Sequence, residues 1–195
     1  MVVIDNLSSG KIENLSEHLS LVSGRQKNTN PEVLRGNPNL KFYQIDIRDP
    51  ALGEIFKSEE PDLVDHHAAQ IDVRKSVADP IYDAQVNIIG SLNILNCCLK
   101  SGVKKIVFAS SGGAIYGEPK YLPADESHPI NPTSPYGLSK FTFEAYLSIH
   151  HQLLDLSYIS LRYGNVYGPR QDPYGEAGVV AIFIRKMLEG KPPTI

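Results

Sequence analysis

The sequence predicts a doubly wound α/β fold, a parallel sheet covered by helices on both faces, and three observations carry that expectation. Short apolar runs alternate with helix-length segments along the 195 residues, as βαβ units require. The apolar runs break off in Asp, Asn, His or Ser, where such a sheet presents its strand ends to a ligand. A tyrosine and a lysine four apart, Tyr136 and Lys140, follow the hydroxyl-rich segment Ser110-Ser111, and that spacing puts two side chains on one helix face.

Val2-Val3-Ile4 closes on Asp5-Asn6 and the turn residues Ser8-Ser9-Gly10, the pattern of a buried parallel strand. A polar stretch rich in Asn, Gly and Pro, 23–39, reads as a connection. Residues 40–45 form the second strand, ending in Asp46-Ile47-Arg48-Asp49, and 50–60 a short helix. Leu63-Val64, running into Asp65-His66-His67, gives a third strand. A long helix is expected over 80–100, with apolar Ile81, Val86, Ile89, Leu92, Ile94, Leu95 and Leu99, stopped by Gly102. Then come a strand at 105–109, a Pro-rich loop, a helix over 135–154, a strand at 156–161 and a helix over 178–189.

The composition, 42% hydrophobic and 21% charged, is that of a soluble globular protein of one domain. A formal net charge of -3 without a run of Lys or Arg makes nucleic acid and membrane surfaces unexpected partners. Cys97 and Cys98 are adjacent in a helical pattern, which suits buried small side chains in a reducing, cytoplasmic compartment. No apolar run approaches the ~18 residues that a membrane span needs.

A free tyrosine titrates near ~10, and a cation close by favours its phenolate. Lys140 is therefore expected to make Tyr136 a usable acid and base. The same pair also describes a solvated helix face, so the neighbours decide. An acid just past a strand, as Asp5 is, can bind the ribose hydroxyls of a dinucleotide or merely cap the next turn. Asp46 could accept from an adenine amino group while Ile47 covers the ring, or simply end its strand. His66-His67-Ala68-Ala69-Gln70 supplies small residues where a backbone must approach a cofactor. The two histidines make no metal site, because neighbours on a strand point to opposite faces and no Cys or carboxylate stands at ligand spacing. His18, His128, His150 and His151 carry no expected role.

Taken in order, Val3-Ile4-Asp5-Asn6-Leu7-Ser8-Ser9-Gly10, Asp46-Ile47-Arg48-Asp49, His66-His67-Ala68-Ala69-Gln70, Asn87, Ser110-Ser111, Ser134-Pro135-Tyr136-Gly137-Leu138-Ser139-Lys140 and the segment from Leu161 to Arg170 form a pattern. It resembles that of the extended short-chain dehydrogenase/reductase family, in its NAD-dependent epimerase/dehydratase branch, with UDP-glucose 4-epimerases as the nearest likeness. The resemblance implies a Rossmann-like, NAD(P)-binding domain over 1–195. It places Asp5 and Asn6 at the adenosine ribose, Asp46 and Ile47 at the adenine, and Ala68, Ala69 and Gln70 along the pyrophosphate and nicotinamide. Asn87, Lys140 and Tyr163 would also meet the NAD cofactor.

The same likeness implies a UDP-sugar substrate, held by Ser111, Tyr136, Asn165 and Val179, and a homodimer paired through the two long helices. Tyr136 would take the proton of the sugar 4-hydroxyl as hydride leaves C4 for the nicotinamide. The transient 4-keto sugar would then turn and take the hydride back on its other face. Ser111 is the expected active hydroxyl. The branch often places that group where Gly112 stands, so Ser110 remains an alternative. The resemblance further implies a strand, a Gly-x-x-Gly-x-x-Gly turn and a helix before Val2, and a smaller substrate lobe after Ile195, which these residues do not contain. A sugar-nucleotide dehydratase or a UDP-glucuronate decarboxylase shares the first oxidation, but Gly112-Gly113 offers no acid for water loss. A non-catalytic Rossmann-like fragment is the alternative from another class.

Overall fold

The computed structural model describes residues 1–15, 32–37, 39–174 and 178–193. β1 (Val2–Asp5) lies parallel to β3 (Leu40–Gln44), with Val3 opposite Phe42, and β2 (Glu32–Asn37) runs antiparallel along the other side of β3. A second sheet joins β4 (Leu63–His66), β5 (Lys105–Ser111) and β6 (Ser157–Tyr163), all parallel, with β5 in the middle. The fold is a Rossmann-like α/β arrangement. The sheet comes as two three-stranded parts, and β2 sits inside the stretch expected to be a connection. The remainder of that stretch, and His18, lie outside the described residues.

Among the described residues β1 and β4 each have a strand partner on one side only, and Leu63 of β4 is 52% exposed. Both parts nevertheless share one core. Tyr43, Ile45 and Ile47 from the first join Ile106 and Phe108 from the second in one cluster, to which a covering helix adds Phe143 and Leu147. Phe108 and Phe143 pack edge to face at 4.8 Å, and each such buried ring is worth about 2–3 kcal/mol.

The helices are α1 (Leu52–Glu59), α2 (Val73–Ala78), α3 (Pro80–Ala84), α4 (Ser91–Ser101), α5 (Gly112–Ile115), α6 (Pro135–Leu154) and α7 (Val179–Leu188). A π-helical turn, Gln85–Gly90, links α3 to α4, so the expected long helix is continuous but locally widened. α2 and α3 start on Asp72 and Asp79, whose carboxylates each accept a backbone N–H at 2.9 Å and so satisfy a donor the helix leaves free. Gly102 ends α4 at φ 69°, the left-handed stop read from the sequence.

The buried face of this helical run corrects the apolar reading. Ile81 and Ile89 are 71% and 57% exposed, while Asp83, Asn87 and Ser91 are buried. Those three follow one another at intervals of four, so a polar stripe, continued by Ile94, Leu95 and Cys98, faces inward. Cys97 and Cys98 are free and buried, and burial pushes the Cys98 thiol up to about 12.

Candidate active site

α6 starts beside the carboxyl end of β5. Ser134 is its N-cap, accepting the Gly137 N–H at 3.1 Å, and Pro135 fills the first turn, where its missing N–H leaves nothing unpaired. The Tyr136 N–H donates to Ser76 Oγ of α2 at 3.2 Å. Gly137 allows α6 to close on α5, since a Cβ there would run into the Ala114 carbonyl oxygen.

That approach brings Tyr136 to Ser111. Ser111 caps α5, its Oγ accepting the Ala114 N–H at 3.3 Å, and its side chain lies near enough to the Tyr136 phenol to bear on its protonation. Ser110 alternates to the other face of β5, buried and with no partner for its hydroxyl among the described residues. Of the two serines, Ser111 is the one beside the phenol.

Lys140 lies one turn along α6 and is 4% exposed. Its Nζ donates to the Ala109 carbonyl at 2.9 Å and stands 4.9 Å from the Phe108 ring centre and 5.8 Å from that of Tyr136. Burial lowers the Lys140 pKa from 10.5 to about 8, and the Asp83 carboxylate opposes the fall. The Tyr136 phenol is held above its ordinary value, chiefly by burial, with the nearby Ser111 hydroxyl pulling it down and the Asp83 charge pushing it up. The expected lowering of Tyr136 by Lys140 is absent from this arrangement. Desolvation outweighs it, and the ammonium is directed at a backbone carbonyl.

The other predicted positions lie at neighbouring strand ends. Asp5 Oδ1 accepts the Leu7 N–H at 2.6 Å, shaping the turn after β1. Asn6 Nδ2 donates to Asp46 Oδ2 at 2.9 Å, and Arg48 grips both Asp46 oxygens at 2.8 Å. The Arg48 contacts hold the Asp46 carboxyl well below the usual carboxylate range. Ile47 is buried, against Gly90. Ala68 and Ala69 are half-buried, and Gln70 and Asn87 are buried behind them. Asn87 Oδ1 accepts the Gln70 N–H and its Nδ2 donates to the Gln70 carbonyl, both at 2.9 Å, fixing the loop after β4. Tyr163 pairs with Ser111 across β5 and β6, its ring 6.2 Å from that of His67. Asn165 and Val179 are exposed and take no part in the hydrogen bonds around Tyr136 among the described residues.

His66 and His67 do point oppositely, one 3% exposed and the other on the surface. Buried His66 meets Ser91 Oγ at 2.9 Å, and burial, with the Lys140 charge, depresses its pKa to about 3. His128, given no role from sequence, is buried and accepts the Lys120 N–H at 2.9 Å, bracing the loop before α6. Sequence reasoning also passed over Asp83, Ser76 and Ser139, which hold the site from behind. The signal for Asp83 was its four-residue interval to Asn87. Glu144 and Tyr116 were missed as well: Arg162 donates to the Glu144 carboxylate at 2.7 Å and to the Tyr116 hydroxyl at 2.9 Å, tying α6 to β6 and the segment after α5. Among the described residues no group of three His, Cys, Asp or Glu side chains could hold a metal, and no helix is long and apolar enough to cross a membrane.

Residues 2–195 match the family model described as the NAD dependent epimerase/dehydratase family. The chain is 40% identical over 195 residues to a UDP-glucose 4-epimerase of Mycolicibacterium smegmatis, covering all of this chain and 57% of that protein. It superimposes with a TM-score of 0.77 and 44% identity on a Thermus thermophilus UDP-glucose 4-epimerase in complex with NAD, covering 98% of this chain and 64% of that one. A UDP-N-acetylglucosamine 4-epimerase of Methanobrevibacter ruminantium, in complex with UDP-N-acetylmuramic acid, gives 0.82 and 38% identity, with 100% of this chain and 56% of that one covered. The chain thus spans a little over half the length of these relatives.

Proposed function

Because this chain belongs to the NAD-dependent epimerase/dehydratase family, we propose that the whole protein is a sugar-nucleotide 4-epimerase interconverting UDP-glucose and UDP-galactose. The observation that carries this reading is the Tyr136 phenol standing beside the Ser111 hydroxyl, with the Lys140 ammonium buried one helical turn behind it. Residues 1–195 are its NAD-binding unit.

The donor set suits NAD. Asp5 and Asp46 at the ends of the β1–β3 pair offer carboxylates to hydroxyl and amino groups, and their charge disfavours a 2′-phosphate. Lys140, at the β5 end, offers a buried cation to a ribose hydroxyl. NAD supplies a reversible hydride acceptor. Tyr136 takes the proton of the 4-hydroxyl as C4 is oxidised and returns it when C4 is reduced from the other face. Ser111 donates to the 4-oxygen, stabilising the charge that develops there. In the present arrangement burial keeps Tyr136 protonated, and Lys140 would favour the phenolate once its ammonium turned from the Ala109 carbonyl toward the phenol.

Pairing of the whole protein into a homodimer is part of this reading. Ile81 and Ile89 on one helical run, and Tyr146, Ile149 and Leu153 on α6, leave neighbouring apolar faces exposed. The chemistry is tested with UDP-glucose deuterated at C4. Retention of the label at C4 of UDP-galactose is expected, since the hydride never meets solvent. Appearance of the label in water, or a 4-keto-6-deoxy product, would contradict the epimerase reading.

A further inference from the structure

Asp83 is 0% exposed, and each of its hydrogen bonds comes from a neutral donor. Oδ2 accepts the Ser139 hydroxyl at 2.6 Å, and Oδ1 accepts the Asn87 amide at 2.9 Å and the Gln70 amide at 3.0 Å. A buried carboxylate is expensive unless its lone pairs are satisfied and a counter-charge lies close. The three donors answer the first need, and they belong to three separate parts of the site. Ser139 precedes Lys140 on α6, Asn87 occupies the π-helical turn, and Gln70 closes the loop after β4.

We propose that Asp83 is the positioning residue of this site, clamping α6 and the Ala68–Gln70 loop to one point and acting as the buried counter-charge of Lys140. The inference rests on the reading of Tyr136 and Lys140 given above. The groups facing Lys140 bear it out one by one. From β4 comes His66, neutral because burial and the Lys140 charge both depress it. From β5 come the Ala109 carbonyl and the Phe108 ring. On α6 itself, Tyr136 is protonated and Glu144 is committed to Arg162. Asp83, from α3, is the negative charge that opposes the desolvation of the ammonium. The clamp also explains why the helical run buries polar residues and leaves Ile81 and Ile89 outside.

The test reads Lys140 directly and needs neither cofactor nor substrate, so its result is independent of the epimerase reading. In the chain labelled with [ε-13C]lysine, the Lys140 resonance is identified by its loss in Lys140→Arg and titrated. The wild-type midpoint is expected near 8. Asp83→Asn is expected to reduce its proton affinity about tenfold, as loss of a nearby opposite charge does. Ser139→Ala keeps the charge and should move the midpoint much less. An unmoved Asp83→Asn midpoint, or an equal shift in Ser139→Ala, overturns the proposal. Because Asp83→Asn also disturbs three hydrogen bonds, a second readout uses the unmutated chain labelled with [γ-13C]aspartate. The Asp83 carboxylate resonance should step at the Lys140 midpoint, and a flat trace there overturns the counter-charge.

Discussion

Lys140 is an ammonium almost wholly removed from water, held by one carbonyl and the charge of Asp83. Its pKa falls from 10.5 to about 8, so between those values the unfolded chain binds the extra proton. Stability contributed by this group is therefore lowest below about pH 8, where the buried charge opposes folding, and rises as the pH climbs through that value. The gain is at most about 3 kcal/mol. Urea unfolding of wild type and Lys140→Met from pH 7 to 9.5 should give curves that are not parallel, with wild type gaining relative to the variant as the pH rises. The comparison cancels Cys98, which is common to both chains and whose raised pKa works in the opposite direction above pH 9. Parallel curves would mean that Lys140 is not buried as a cation.

At the scale of elements, the site depends on how closely α6 approaches α5. Gly137 sets that distance, because an added methyl meets backbone at Ala114, which cannot rotate away. Gly137→Ala should cost about 1–3 kcal/mol in urea unfolding, despite the better helix propensity of alanine, and should part Tyr136 from Ser111. A stability equal to wild type would show that the contact is slack. The strands that carry the site were legible in the sequence because parallel strands buried on both faces read as unbroken apolar runs, such as Ile106-Val107-Phe108. β2 was not, since Glu32-Val33-Leu34-Arg35-Gly36-Asn37 holds two adjacent apolar residues in polar surroundings. Tyr136 and Lys140 announced themselves by spacing. Asp83 did not, because periodicity arguments count apolar positions, and here Ile81 and Ile89 lie on the face turned away from the core.

For the whole molecule, two consequences follow from surfaces that one copy of this chain leaves uncovered. Ile89 and Leu153 are 57% and 74% exposed, and pairing the faces that carry them would bury both side chains. Sedimentation of the whole protein should give a dimer that Ile89→Asp with Leu153→Asp converts to monomer, whereas an unchanged sedimentation coefficient would place any interface elsewhere. Among the described residues, the single-sided edges of β1 and β4 present unpaired backbone groups, the feature that promotes association of strands. The proposed chemistry turns on one hydroxyl, that of Tyr136. The most direct test is the rate of UDP-glucose to UDP-galactose conversion by the whole protein and by its Tyr136→Phe variant, followed by NMR. A fall of about 10²–10⁴-fold, the usual share of a positioned acid–base group, with the Ser111–Lys140 surroundings intact, is the result expected. Conversion by Tyr136→Phe at the wild-type rate would contradict the account.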